Sequence, residues 1–152
     1  MALPLTFKSG LLELCKDSVK TKIENANKAM QAAQEAANGE DKSSAGDKYE
    51  TSRAMGHLDR DMFAKQLVEA KTEMEKLMKI NIEPFETVKL GSLLKANGTY
   101  YFIATGIGKL EYENINVMVI SNQSPLASKM LGKKCLDSFE FNSNRWEIEE
   151  LV

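Results

Sequence analysis

The chain has 152 residues, 43% of them hydrophobic, which is the size of one ordinary domain or two small ones with a modest core. Lys and Arg number 20 against 22 Asp and Glu, so there is no surplus of positive charge to drive counterion release, and direct duplex or sequence-specific nucleic-acid binding is not expected. No apolar run approaches the roughly 18 residues of a membrane helix, and the opening MALPLTFKSGLLEL carries no small-residue cleavage site. Cys15 and Cys135 are single and far apart, which fits neither a disulfide framework nor a zinc motif, and a cytoplasmic protein without a membrane segment is expected.

From residue 6 to about 38, Leu12, Val19, Ile23, Ala26, Met30, Ala33 and Ala37 recur in steps of three and four, with one place skipped at Lys16. This is a coiled-coil seam, free of proline and filled out with Glu, Lys, Gln and Ala. Such a helix extends roughly 50 Å. A second helical pattern starts between 47 and 51 and runs to about 80 through Met55, Leu58 and Met62, then Phe63, Leu67, Ala70, Met74 and Leu77. The step from Met62 to Phe63 shifts the stripe, so the seam is expected to rotate or unwind there. Between the two lies NGEDKSSAG, a breaker cluster with Gly39 placed to cap the first helix. The expected packing is a long antiparallel helical hairpin over residues 1–82, with a polar tip at 39–50. Small alanines toward the tip allow the arms to approach and taper.

Pro84 stops the helical pattern, and over 83–152 the period changes. TYYFIA at 99–104, NVMVIS at 116–121, SFEF at 138–141 and RWEIEELV at 145–152 read as strands, with a hairpin turn at NSN. Among them, SPLASKMLGKK reads as one short helix, with Ser124 as N-cap, Pro125 at the first helical position and Gly132 just past the end. Leu126, Met130 and Leu131 would cover a small antiparallel sheet. The fold class is α+β: the helical hairpin followed by a small sheet domain with one short helix.

The segment ISNQSPLASKMLGKKCLDSFEF, residues 120–141, resembles the pattern I-S-x-x-S-P-L-(any two)-x-L-(L)-G-K-x-x-G-D-x-(V) of the C-terminal domain of the Gre family of bacterial transcription elongation factors. Ile120, Ser121, Ser124, Pro125, Leu126, Leu131, Gly132, Lys133 and Asp137 carry the match. KLGS at 89–92 is similar to the family's opening V-x-x-G-S, and WEIEEL to its closing strand. The resemblance implies a GreA/GreB-like protein whose FKBP-like C-terminal domain docks at the rim of the RNA polymerase secondary channel while its coiled coil enters it. Acidic tip residues would there help to hold a second Mg²⁺ in the polymerase active centre, so that the polymerase cleaves its own backtracked transcript. Such oxygen ligands suit Mg²⁺ in two-metal phosphodiester hydrolysis.

Family tips resemble G-D-L-x-E-N-x-E-Y, with the D and the first E associated with cleavage. Here Asp41 matches the first acid, Asp47 and Tyr49 roughly match the closing pair with one inserted residue, and the second key acid aligns with Ser44. Serine supplies no carboxylate, and Lys42 and Lys48 put positive charge beside the metal position, so the resemblance implies weakened cleavage stimulation. The insertion can bring Asp47 or Glu50 round to the metal. Asp41, Asp47 and Glu50 are therefore the candidate tip acids, with Asp41 the candidate metal ligand, in the complex only. Read from residue type alone, Asp41 is a solvated loop acid, and Asp47 with Glu50 forms a capping pair.

Other residues have plain readings. His57 lies four residues before Asp61, which is a surface contact on a helix. Both cysteines read as core or surface thiols, and thiol catalysis would require one of them to titrate below its ordinary range. Met30, Met55, Met62 and Met74 read as seam fillers rather than as a partner-binding stripe. Ser124, Pro125, Lys133 and Lys134 are polymerase-contact candidates by resemblance; otherwise the lysines are a solvated surface. The expected protein is a monomer with RNA polymerase as partner, no cofactor of its own and no autonomous enzyme activity. The alternative is a coiled-coil dimer or adaptor that binds another protein.

Overall fold

A computed structural model describes residues 3–39 and 46–152. The elements in chain order are α1 (Leu5–Gly39), α2 (Gly46–Met78), β1 (Leu93–Ala96), β2 (Thr99–Ala104), β3 (Gly108–Tyr112), β4 (Ile115–Ser121), α3 (Pro125–Met130), β5 (Ser138–Phe141) and β6 (Asn144–Leu151). The expected α+β class is observed. Contacts divide the chain into two compact units, Asp17–Met74 and the combination of Met1–Lys16 with Glu75–Val152. The bases of both long helices thus belong to the sheet's unit, whereas the change of sequence period falls at 82 to 83.

Within Asp17–Met74 the helices run antiparallel. Lys22 pairs with Glu73 at 3.5 Å, Arg60 Nη1 donates to Gln34 Oε1 at 2.8 Å, and Gly56 lies against Ala37 and Ala33. Rising numbers on one arm meet falling numbers on the other. On α1 the expected seam holds: Val19, Ala26 and Ala37 are buried, and Ile23, Met30 and Ala33 are half-buried.

On α2 the expected seam is wrong over its first half. Met55, Leu58 and Met62 are 60%, 68% and 49% exposed, while Gly56 and Leu67 are buried and Arg60 and Phe63 half-buried. The seam runs Gly56, Arg60, Phe63, Leu67, Ala70, Met74, Leu77, alternating four and three without interruption. No shift occurs at Met62 to Phe63. An apolarity count passes over this register because two of its positions are a glycine and an arginine. Gly56 is required by the approach: a Cβ there would lie 2.8 Å from Ala37 Cβ. Arg60 keeps its head on Gln34 and Asp61 at the seam's edge, so only its stem is enclosed.

In the other unit, one six-stranded sheet has the order β3-β4-β2-β1-β6-β5. All neighbouring pairs are antiparallel except β2 with β4, which run parallel, so the sheet is mixed rather than purely antiparallel. The hairpin β3–β4 creates this arrangement, since β4 returns inside β3 to lie beside β2. Strands β1 and β3 were not expected from the sequence. LLKA is only four residues long, and GKLEY is a half-polar edge strand. The expected NSN turn is present, with Asn142 and Ser143 both at positive φ, the geometry that suits a two-residue hairpin.

α3 covers one face of the sheet. Ala127 and Met130 are fully buried in a cluster with Val88, Leu94, Ala96, Tyr101, Ile103 and Ile148, and Leu126 packs at its margin. Leu131, expected in this layer, is 37% exposed, because the helix ends at Met130 and Leu131 is already in an extended conformation. Phe102, Val117 and Val119 point to the other face and are equally buried. On that unit's helical segments Phe7, Leu11 and Leu77 are buried, and the Phe7 ring meets Tyr112 of β3 edge-on at 5.1 Å. Gly10 is held to a hydrogen there, since a Cβ would collide with the Tyr112 hydroxyl.

Candidate functional site

The candidate residues fall in two places. Asp41 and Ser44, with Lys42, lie outside the described residues. Asp47 and Glu50 belong to the first turns of α2 by backbone, and their side chains also lie outside the description. Among the described residues, no three His, Cys, Asp or Glu side chains gather as a metal site. The candidate donor set for Mg²⁺ is therefore the one read from sequence, and no ligation step is derived through it.

Ser124, Pro125, Lys133 and Lys134 belong to a segment that the structure describes fully. Ser124 caps α3 as expected, its Oγ accepting from the Ala127 N–H at 3.2 Å, and Pro125 opens the helix where no N–H is required. Past the helix, Gly132 takes φ +81° and its N–H donates to the Val88 carbonyl, while the Val88 N–H donates back to the Lys133 carbonyl at 2.8 Å. Lys134 pairs in an isolated bridge with Thr87, and its N–H donates to Asp137 Oδ2 at 2.8 Å. The two lysines are thus fixed by their backbones, with Lys134 exposed and Lys133 half-buried. Gly91 of KLGS adopts φ +93° beneath Ile80, and Ser92 Oγ accepts from the Lys89 N–H at 2.9 Å. Both halves of the recognised pattern are turn and cap residues that shape one corner of the sheet unit.

Leu136 occupies the place where the family pattern has glycine, and it adopts φ +75° while 73% exposed. The conformation is fixed from both sides, because the Leu136 N–H donates to Ile148 O at 2.7 Å and the Ile148 N–H donates to Asp137 O. A branched side chain in the left-handed region costs roughly 1–2 kcal/mol.

The structure adds a residue that sequence reasoning missed. Lys8 is completely buried, its Nζ donating to the Glu83 carbonyl at 2.9 Å and to the Val152 backbone oxygen at 3.0 Å. The ammonium also sits 4.1 Å from the Phe85 ring centroid. Burial lowers its pKa from 10.5 to about 8; the Glu83 charge opposes that shift and Lys89 adds to it. The lysine of TFKSG gives no signal of this, since its partners are backbone groups distant in sequence.

Cys15 is fully buried, and burial pushes its thiol up to about 12. A nucleophilic role would need the opposite shift. Cys135 is exposed, with Sγ 3.4 Å from the Glu149 carbonyl. Among the described contacts Asp61 is held by Arg60 at 2.9 Å, the partner that the His57 spacing had suggested otherwise. Trp146 stacks on Phe139 and meets Tyr101 and Phe141; its buried Nε1 has no partner, for which the structure offers no account. No helix among the described residues is long and apolar enough to cross a membrane.

No family model matches the chain, and no curated protein matches it. Among solved structures it is similar to a transcription factor named Gfh1, with 15% identity over 89% of this chain and 93% of that one, at a TM-score of 0.38. It is also similar to GreA factor homolog 1 (Gfh1) of Thermus thermophilus, with 14% identity over 90% and 94% of the chains, at a TM-score of 0.34. At this identity and superposition the likeness carries no functional argument.

Proposed function

We propose that the chain is a Gre-like regulator of transcription that binds RNA polymerase, its helical hairpin entering the secondary channel and its small domain docking at the rim. The observation that carries the reading is the fold of residues 120–141. The residues that make this stretch resemble the Gre pattern also have physical work in it: Ser124 caps, Pro125 starts the helix, Gly132 turns left-handed and Asp137 closes the turn on Lys134. A long antiparallel hairpin followed along the chain by a small sheet domain with one short helix is the layout that the resemblance implies.

The candidate acids of the tip are Asp41, Asp47 and Glu50, with serine at the second key position. The function is therefore regulation by occupying the channel, with transcript-cleavage stimulation weak, and the chain performs no catalysis alone. Any Mg²⁺ belongs to the polymerase centre; the protein would lend carboxylate oxygen to it. Compartment and stoichiometry follow from this reading: a cytoplasmic monomer. The dimerising adaptor is the rival, and a mass that stays monomeric across a wide concentration range speaks against it.

The test is RNA release by a stalled, backtracked elongation complex of the cognate polymerase, run with wild-type protein and Asp41→Ala beside a binding assay. Weak cleavage that Asp41→Ala abolishes, with binding retained, is the expected result. Binding without cleavage leaves a channel-occupying regulator only. Absence of binding overturns the proposal in favour of the adaptor.

A further inference from the structure

Among the described residues other than glycine, Asn97, Glu113, Asn114, Leu136, Asn142 and Ser143 have positive φ. All but Leu136 are polar and lie in the turns of strand hairpins, where the left-handed region suits them. Leu136 is aliphatic. It holds the third place of a turn that the Asp137 N–H closes on the Lys134 carbonyl at 3.0 Å, where a type II turn calls for glycine or asparagine. A second tie, from the Leu136 N–H to the Ile148 carbonyl at 2.7 Å, keeps the backbone from relaxing. The fold recovers nothing for this strain, because the side chain is 73% exposed, more than any other large hydrophobic among the described residues. A costly conformation that the surroundings enforce and the core does not use is a mark of function outside the fold.

We infer that Leu136 is an apolar anchor by which the α3 corner holds RNA polymerase, its side chain entering a socket on the polymerase surface. The inference rests on the polymerase reading above, and it adds a residue that the resemblance does not supply, since the family pattern has glycine there. One leucine is a small part of the roughly 1,200–2,000 Å² that a stable interface buries, so it belongs to a larger docking surface. The loop from 131 to 137 is continuous with one: Leu131 at its start is 37% exposed, and Lys133 and Lys134 are the corner's contact candidates. Charge does not select the partner here. Lys133 and Lys134 are answered by Asp137 on the same loop and by Glu147 and Glu149 on either side of Ile148 in sequence. What the turn contributes is rigidity, because a leucine already held in place loses little freedom on docking.

The experiment titrates cognate RNA polymerase into the full chain, labelled at its amino terminus, and follows anisotropy, with urea midpoints measured in parallel. Three variants are compared with wild type. Leu136→Asn accepts the left-handed conformation but is polar, Leu136→Gly removes the side chain, and Leu136→Met keeps an apolar one. The expected result is that the Asn and Gly variants are at least as stable as wild type yet bind about tenfold more weakly, with Leu136→Met within about threefold of wild type. Wild type that fails to bind overturns the polymerase reading and this inference with it. Wild type that binds, with Leu136→Asn binding equally well, overturns this inference alone. So does a fall in stability and affinity together in the Asn and Gly variants, since the leucine then packs within the fold. A wild-type dimer that Leu136→Asn dissolves overturns it too, since a second copy then covers the leucine.

Discussion

Between Asp17 and Met74 the seam alternates small residues, Ala26, Ala37, Gly56 and Ala70, with a few larger ones such as Val19 and Leu67, whereas the sheet unit buries Phe102, Ile103, Met130 and Ile148 completely. At about 0.8 kcal/mol per buried CH₂, the second region gains far more from each residue it buries. The hairpin gains closeness instead, adding cross-arm polar contacts such as Arg60 to Gln34 and Lys22 to Glu73. The sheet unit, by contrast, has a layer on either face of its strands and can hold strained or costly groups such as Leu136 and Lys8.

The sharpest way to separate the two regions is a core deletion in one of them. Phe102→Ala leaves a cavity at a fully buried position and should cost about 3–5 kcal/mol, read as a fall in the urea midpoint of the sheet unit. Amide exchange in 20–70 should respond less than exchange in β2 and β4; equal loss everywhere would make the chain one cooperative block. The converse change is Gly56→Leu, which forces a side chain against Ala37. It should destabilise the hairpin by about 1–3 kcal/mol through overpacking, with faster exchange on both arms and unchanged protection in the sheet.

A third prediction concerns Lys8. Its folded pKa of about 8 lies below the ordinary 10.5, so between those values the unfolded chain binds more protons than the folded one. Stability should therefore rise as pH increases from 8 to 10.5, as the cost of burying the charge is relieved. Lys8→Met should remove that rise from the difference between denaturation curves at pH 7.5 and 10. The smallest effect is expected at Leu136. Leu136→Gly relieves the left-handed strain but adds backbone freedom to the unfolded chain, for a net gain of about 1 kcal/mol or less. A loss would mean that the exposed leucine packs better than its 73% exposure indicates.

Much of the hairpin and of the capped helix was legible because both rest on local rules. Helix length follows from uninterrupted helix formers, and Ser124, Pro125 and Gly132 act within a few residues of themselves. The α2 register was not legible. An apolar stripe need not mark the seam, and the true seam includes Gly56 and Arg60, which qualify by being small or by reaching out at the edge. Nor did the sequence distinguish an inward Met62 from an outward one, since hydrophobicity has no direction until a second helix supplies one. Of the candidate site, the α3 corner was readable from turn chemistry, while Lys134 and Asp137 acquired their contact only once the chain had turned.

By itself, then, the sequence determined the α+β class, the two long helices, the ends of α3 and the turn at NSN, all consequences of propensity and of φ preferences inside short windows. Only the tertiary structure decided the parallel pairing of β2 with β4, the burial of Lys8 on the Glu83 and Val152 backbones, and which face of α2 looks outward. Those features depend on groups separated by many residues in the chain, and no local rule can specify which distant atoms will meet.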